Sequence, residues 1–302
     1  MYKYCPVTDY SLANLERGQF YLNHHEAFND PYECMCKIHM GFPKLADRSE
    51  RLMSVLNAWG FCDFDDEAVV ECYEEYAESL EPGEPIITDF IDNARITCFS
   101  ARPDNLLMWG HYANGMRGFC LEVDEGALLG NNDAASIYRV IYADKPATID
   151  ASVLAVLYDQ LEYHRNAAWE VKVLADFHGI DKTGEIEGYR EWYLADLDRV
   201  HSIYQKMLAT KPVAWKYEEE IRLIVRASNC GKEGVQFSYP SQAIRSVILG
   251  WKISSEDERK VIDVVRRKYP MIPIRKVVAN HGSFELEIVE HHSKLDPAGI
   301  EA

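Results

Sequence analysis

Two carboxylates two residues apart, set among cations, carry the strongest chemical signal in this 302-residue chain. They lie in Trp215-Lys216-Tyr217-Glu218-Glu219-Glu220-Ile221-Arg222-Leu223-Ile224-Val225. In an extended strand, alternate side chains fall on opposite faces. Trp215, Tyr217, Ile221, Leu223 and Val225 then share a face that is apolar apart from Glu219, and Lys216, Glu218, Glu220, Arg222 and Arg226 share the other. Carboxylates so placed repel, and one holds its proton longer than a free acid does. A strand that packs a core with one face and presents paired acids on the other is a candidate catalytic platform. The competing reading is a solvated edge strand with paired surface charges.

A second constellation follows Cys98-Phe99-Ser100: Trp109, His111, Tyr112 and Arg117 crowd into a few turns. Flat rings, an imidazole and a guanidinium suit stacking on a heterocycle and gripping an anion. Taken singly, Trp109 and Tyr112 also read as core packing and Arg117 as a partner for a carboxylate. In the opening Tyr2-Lys3-Tyr4, the tyrosines point one way into a core and Lys3 the other way, free to reach a ligand. Cys34-Met35-Cys36 near His24, His25 and His39 raises the question of zinc. Zinc usually takes paired cysteines two or more residues apart, and no second pair stands nearby, so no metal is assigned. No nucleophile elbow, phosphate-cradling Gly-rich loop, dinucleotide Gly fingerprint or zinc-protease motif occurs.

Composition narrows the class. Hydrophobic residues make up 47% of the chain and no apolar run is long enough for a membrane span, so a globular core is expected. Eight cysteines scattered through apolar stretches, behind an N-terminus with no secretion signal, read as reduced core thiols in the cytoplasm. A formal charge of −17 opposes broad nucleic-acid binding, although it leaves room for a local groove for one strand.

The elements that must position these residues alternate between types. Strands are expected at Tyr2 to Cys5 and Gln19 to Leu22, around a helix capped by Asp9 or Ser11 and closed by Gly18. Phe28-Asn29-Asp30-Pro31 is a turn. Helical patterns fill about 44–94 and 150–209 as insertions, with Pro82-Gly83-Glu84-Pro85 ending one helix. Further strands read at 95–100, 118–123, 136–142, 220–226, 234–239, 243–249, 273–279 and 283–289. A helix capped by Ser254 runs to Lys268, and Asn280-His281-Gly282 forms a hairpin turn. The expectation is one α+β domain over 1–290 with a C-terminal tail at 291–302.

Several of these blocks, in order, resemble the bacterial domain-of-unknown-function family numbered 2971. They are Tyr2-Lys3-Tyr4, Phe28-Asn29-Asp30-Pro31, Cys98-Phe99-Ser100, Met108-Trp109-Gly110-His111-Tyr112-Ala113 with Gly118, and Lys211 through Arg222. More distantly, the opening strand-helix-Gly-strand, the Glu-x-Glu opening a late strand and Ala243-Ile244-Arg245-Ser246-Val247-Ile248 resemble ADP-ribosyltransferases, DNA-modifying toxins among them. That resemblance implies a split, mostly antiparallel sheet holding NAD as substrate. It implies Glu220 as the catalytic carboxylate and Glu218 as its substrate-side partner. Lys3 falls where that family often has His or Arg, and Ser100 or Tyr112 corresponds to a motif serine or a stacking tyrosine. Tyr4, Asn29, Asp30, Trp109, His111, Arg117 and Arg222 complete the set expected around NAD, the acceptor being unspecified. A role in bacterial or phage conflict follows from the same resemblance. Two other classes stay open: a metal-dependent nuclease or hydrolase using Asp30, Glu218 and Glu220, and a non-catalytic sensor whose aromatic pocket captures a partner.

Overall fold

A computed structural model describes residues 1–80, 85–130, 134–228, 230–280 and 282–291. The turn at 82–85 and that at 280–282 lie partly, and the tail almost wholly, outside these residues. In chain order the first elements are β1 (Tyr2–Cys5), α1 (Asp9–Arg17), β2 (Gln19–Leu22), β3 (Cys36–His39), α2 (Glu50–Trp59), α3 (Glu67–Leu80), α4 (Ile87–Asp92) and β4 (Ala94–Ser100). Next come α5 (Leu106–Tyr112), β5 (Phe119–Val123), α6 (Glu125–Leu129), β6 (Ala135–Arg139), β7 (Ile141–Ala143), β8 (Ala147–Asp150), α7 (Ala151–His178) and α8 (Thr183–Leu208). The last are β9 (Thr210–Pro212), β10 (Glu220–Arg226), β11 (Val235–Ser238), β12 (Ile244–Leu249), α9 (Ser255–Lys268), β13 (Ile274–Ala279) and β14 (Leu286–Glu290).

The chain divides into two compact units, one of residues 1–33, 92–142 and 211–302, the other of 34–91 and 143–210. The two stretches expected as helical insertions fall largely in the second.

The first unit is built on an eight-stranded sheet in the order β14-β13-β12-β5-β1-β4-β10-β6. Every pairing in it is antiparallel except β12 with β13. Period-two alternation sorts its side chains. Leu121, Val247, Leu249, Phe99, Ile221 and Leu223 point to the face that packs Leu15 of α1 and Val261 and Val265 of α9. Tyr4, Cys120 and Ile248 point to the other, where Met108 and Trp109 of α5 cover them. Thr8, one residue before the expected caps, starts α1: its hydroxyl accepts from the Ser11 N–H while Ser11 Oγ accepts from the Thr8 N–H. Gly118 must be glycine for a different reason. A Cβ there would lie 2.1 Å from the Cys5 carbonyl, where β5 meets β1.

The sheet is nearly divided between β1 and β4. β1 pairs with β5 along four residues, yet with β4 only at Tyr2↔Ser100. Further along β4, Ile96 instead exchanges both backbone bonds with Asn23, beyond the end of β2. Between these points the Lys3 ammonium replaces the missing ladder, donating to Thr97 Oγ1 at 2.7 Å and the Cys98 carbonyl at 2.8 Å.

In the second unit, β3 and β8 pair in parallel. Arg51 ties their ends, donating to both Asp150 oxygens and to Ser152 Oγ. Helices α7 and α8 form a long antiparallel pair. α7 buries a run of side chains as far as Leu157 and then only Ala175, while the first side chain α8 buries is Asp196.

Candidate functional site

The strand expected over 215–225 is shorter than the alternation implied. Val213–Glu218 is a 3-10 helix, so Trp215 and Tyr217 do not alternate on a strand face. β10 begins at Glu220. Glu219, between the two, takes a left-handed backbone with φ +44°, which costs a non-glycine residue. That one turn aims Glu218, at the end of a helix, and Glu220, at the start of a strand, toward one point. Ser100 secures it, its hydroxyl donating to the Glu218 carbonyl at 2.8 Å.

The point is occupied by Lys211. Its ammonium donates to Glu218 Oε2 at 2.6 Å and Glu220 Oε2 at 2.9 Å, with all three side chains almost wholly buried. The second Glu220 oxygen accepts from Arg222 Nε at 2.8 Å, and the rest of that guanidinium forks onto Glu33. The second Glu218 oxygen accepts from the Tyr112 hydroxyl. The Glu220 N–H donates to the Tyr142 hydroxyl at 2.8 Å. A buried chain of alternating acid and base thus runs Tyr112, Glu218, Lys211, Glu220, Arg222, Glu33. Three formal negatives against two positives leave it one carboxylate in excess.

Buried charges persist only when paired, and the pairing here sets the protonation. Burial alone would raise the Glu220 carboxyl, but Arg222 and Lys211 outweigh it and bring its pKa down to about 2. The repulsion expected to keep a proton on one of the pair is therefore overridden at Glu220 by Arg222, on the same strand face, and by Lys211, which the spacing did not reveal. Burial likewise works against the Lys211 ammonium, and the two glutamates reverse it and hold its pKa above the ordinary value. Tyr112 is pushed up, first by burial and then by its bond to Glu218. The half-buried Cys98 thiol, beside Glu220, is held well above its usual range, first by desolvation and then by the Glu220 charge.

These groups wall a cavity of about 170 Å³ in the β1–β4 division. Glu218, Glu220, Lys211, Tyr112, Cys98 and Tyr4 line it from the α5 side of the sheet, and Lys3, Thr97 and Phe99 from the other. Tyr21, Asn23, Phe28 and Asn29 also line it.

The expected site residues therefore divide. Lys3, Tyr4, Asn29, Tyr112, Glu218 and Glu220 line the cavity. Arg222 is fully buried behind Glu220. Ser100 is a backbone clamp with no exposed surface. Trp109 is fully buried, its indole N–H donating to the Pro103 carbonyl, so it offers no face for stacking. His111 and Arg117 are exposed and do not line the cavity. Asp30 is buried away from the lining, with Oδ1 accepting from the Tyr32 N–H and Oδ2 unpaired.

Lys211, Glu33 and Tyr142 carry no role in the sequence reading. A lysine seven residues before a glutamate matches no spacing rule, and Glu33 meets Arg222 only through the fold. Among the described residues, the one group of converging metal-type ligands is His24, His25 and Asp92. Cys34, in the second unit, is buried with its thiol toward the Leu208 carbonyl. No helix among the described residues is long and apolar enough to cross a membrane.

The sequence model of a family described as protein of unknown function, DUF2971, matches residues 108–223. That span is under half of the chain and includes Tyr112, Lys211, Glu218, Glu220 and Arg222. No curated protein and no solved structure matches the chain.

Proposed function

We propose that the cavity receives the nicotinamide-ribose end of NAD and that the protein is an ADP-ribosyltransferase-like or NAD-cleaving enzyme, with Glu220 as the catalytic carboxylate and Glu218 beside it. One observation carries the reading: an ionised carboxylate, immobilised by Lys211 and Arg222, in the wall of an aromatic-lined cavity. Breaking the nicotinamide-ribose bond builds positive charge on the sugar. A preorganised carboxylate stabilises that charge without reorganising at the moment of reaction. The surplus negative charge of the chain of acids and bases has the right sign for it. An apolar void of about 150 Å³ holds one benzene, so this cavity suits one ring or sugar, and the remainder of the dinucleotide must extend outside. Tyr112 lines the cavity with its hydroxyl held by Glu218, while Lys3 and Asn29 offer polar contacts to ribose or phosphate. The acceptor is open, and a role in conflict between bacteria and phage rests on the family resemblance.

Two features favour this reading over a metal-dependent nuclease. Lys211 Nζ stands where a divalent ion bridging Glu218 and Glu220 would sit, and Asp30 does not reach the cavity wall. A sensor that binds without turnover draws support from the same network, since both Glu220 oxygens already accept from cations.

Nicotinamide release from NAD and thermal shift with NAD, measured together, separate the readings. The enzyme reading expects release by the wild type and at least about a hundredfold loss in Glu220→Gln, whose fold, followed by circular dichroism, stays intact while its melting temperature falls with the lost ion pairs. Binding without release favours the sensor. No shift and no release with NAD, alongside magnesium-dependent cleavage of an oligonucleotide, would replace the proposal with the nuclease.

A further inference from the structure

The helical pair of the second unit carries a groove that the reading above does not use. Arg165, Trp169 and Lys172 follow one another at i, i+4 and i+7 along α7, which puts them on one stripe. Ile186, Arg190 and Tyr193 do the same along α8, with Tyr189 one turn before Tyr193, and the two stripes line one groove of about 320 Å³. Its lining holds three cations and three aromatic rings beside His164, Ala168 and Ile186, and no carboxylate. In a chain of formal charge −17 that is a local reversal of sign. Arg165 meets Glu162 only at 3.9 Å. Among the described residues, Lys172 and Arg190 have no carboxylate partner and are exposed. Trp169 is 65% exposed, more than packing within the pair requires. From Tyr158 to Leu174 in α7, and as far as Ala195 in α8, no side chain is fully buried.

We propose that this groove binds a single strand of nucleic acid, with bases stacked on Trp169 and the tyrosines and phosphates held by Arg165, Lys172 and Arg190. Alternating rings and cations match what an unpaired strand offers, exposed base faces along a polyanion. A duplex hides those faces. An acidic peptide would satisfy the cations and leave the rings without a stacking partner. Seven residues of helix span about 10 Å, room for a short run of nucleotides. The proposal is independent of the NAD reading and names no target sequence.

The test is fluorescence anisotropy of a labelled oligothymidylate of about ten nucleotides, titrated with the whole chain at low salt. Three cations predict that log affinity falls with log salt at a slope near −2, easing by about 0.7 in Lys172→Ala or Arg190→Ala. Trp169→Ala is expected to weaken binding about tenfold, and the matched duplex to bind less well than the strand. All three substituted residues are exposed, so their variants fold. The proposal is overturned by absence of binding, or by binding that ignores these substitutions. Two further results overturn it by naming another occupant: polyglutamate competing equally while Trp169→Ala is neutral, or Trp169-dependent self-association without oligonucleotide.

Discussion

An ammonium buried between two carboxylates is stable only while all three groups are present. Lys211→Met leaves Glu218 and Glu220 facing each other without their shared cation. Breaking a buried pair in this way costs about 3–5 kcal/mol, to be read by urea denaturation, and a loss below about 1 kcal/mol would contradict the network. The same pairing sets the pH dependence. Because the folded Glu220 pKa is depressed to about 2, its stabilisation is present above the ordinary value near ~4.3 and is lost as pH falls through that window. Stability of the wild type should drop there more steeply than that of Glu220→Gln. Lys211 runs the other way: its raised pKa contributes below the ordinary value near ~10.4 and is lost as pH climbs past it. Glu219 adds a backbone test. It is exposed, with only a 3.8 Å approach to Arg102, and holds a left-handed turn costing about 1–2 kcal/mol for an L-residue. Glu219→Gly should therefore keep or raise the melting temperature, and Glu219→Val should lower it.

At the scale of elements, the acids are useful because a sheet has been left almost unclosed. Strand alternation and capping in the sequence were enough to place β1, β4, β5, β10 and β12 close to their observed bounds. Glu218 and Glu220 stood out by type and spacing. Three things did not. Trp109 reads as a stacking ring because nothing local distinguishes an indole whose N–H finds the Pro103 carbonyl from one facing a ligand. The 3-10 helix before β10 escapes period-two reasoning because its apolar residues fit either geometry. Lys211 opens a block that only the family resemblance marks, with no spacing that ties it to the acids, and tertiary folding brings it to them. The Lys3 bridge across the β1–β4 division is likewise a long-range event, and it is open to test. Lys3→Met removes two charge-assisted bonds, each worth roughly 1.5–3 kcal/mol. The variant should melt lower and exchange the amides of Thr97 to Phe99 faster. Unchanged exchange there would mean that β4 holds its edge without the lysine.

For the whole molecule, charge is the dominant bulk property. An excess of 17 acidic charges repels itself at low ionic strength. Moderate sodium chloride should therefore raise the melting temperature, by screening, over the range in which oligonucleotide capture by the α7–α8 groove weakens. A melting temperature that falls with salt would mean that specific ion pairs outweigh the net repulsion. The chemistry itself is most directly examined by a crystal structure of Glu220→Gln grown with NAD. The nicotinamide-ribose end is expected in the β1–β4 cavity, beside Tyr112, with a ribose hydroxyl within hydrogen-bonding distance of residue 220. NAD seated elsewhere, or a metal ion bridging Glu218 in place of Lys211, would contradict it.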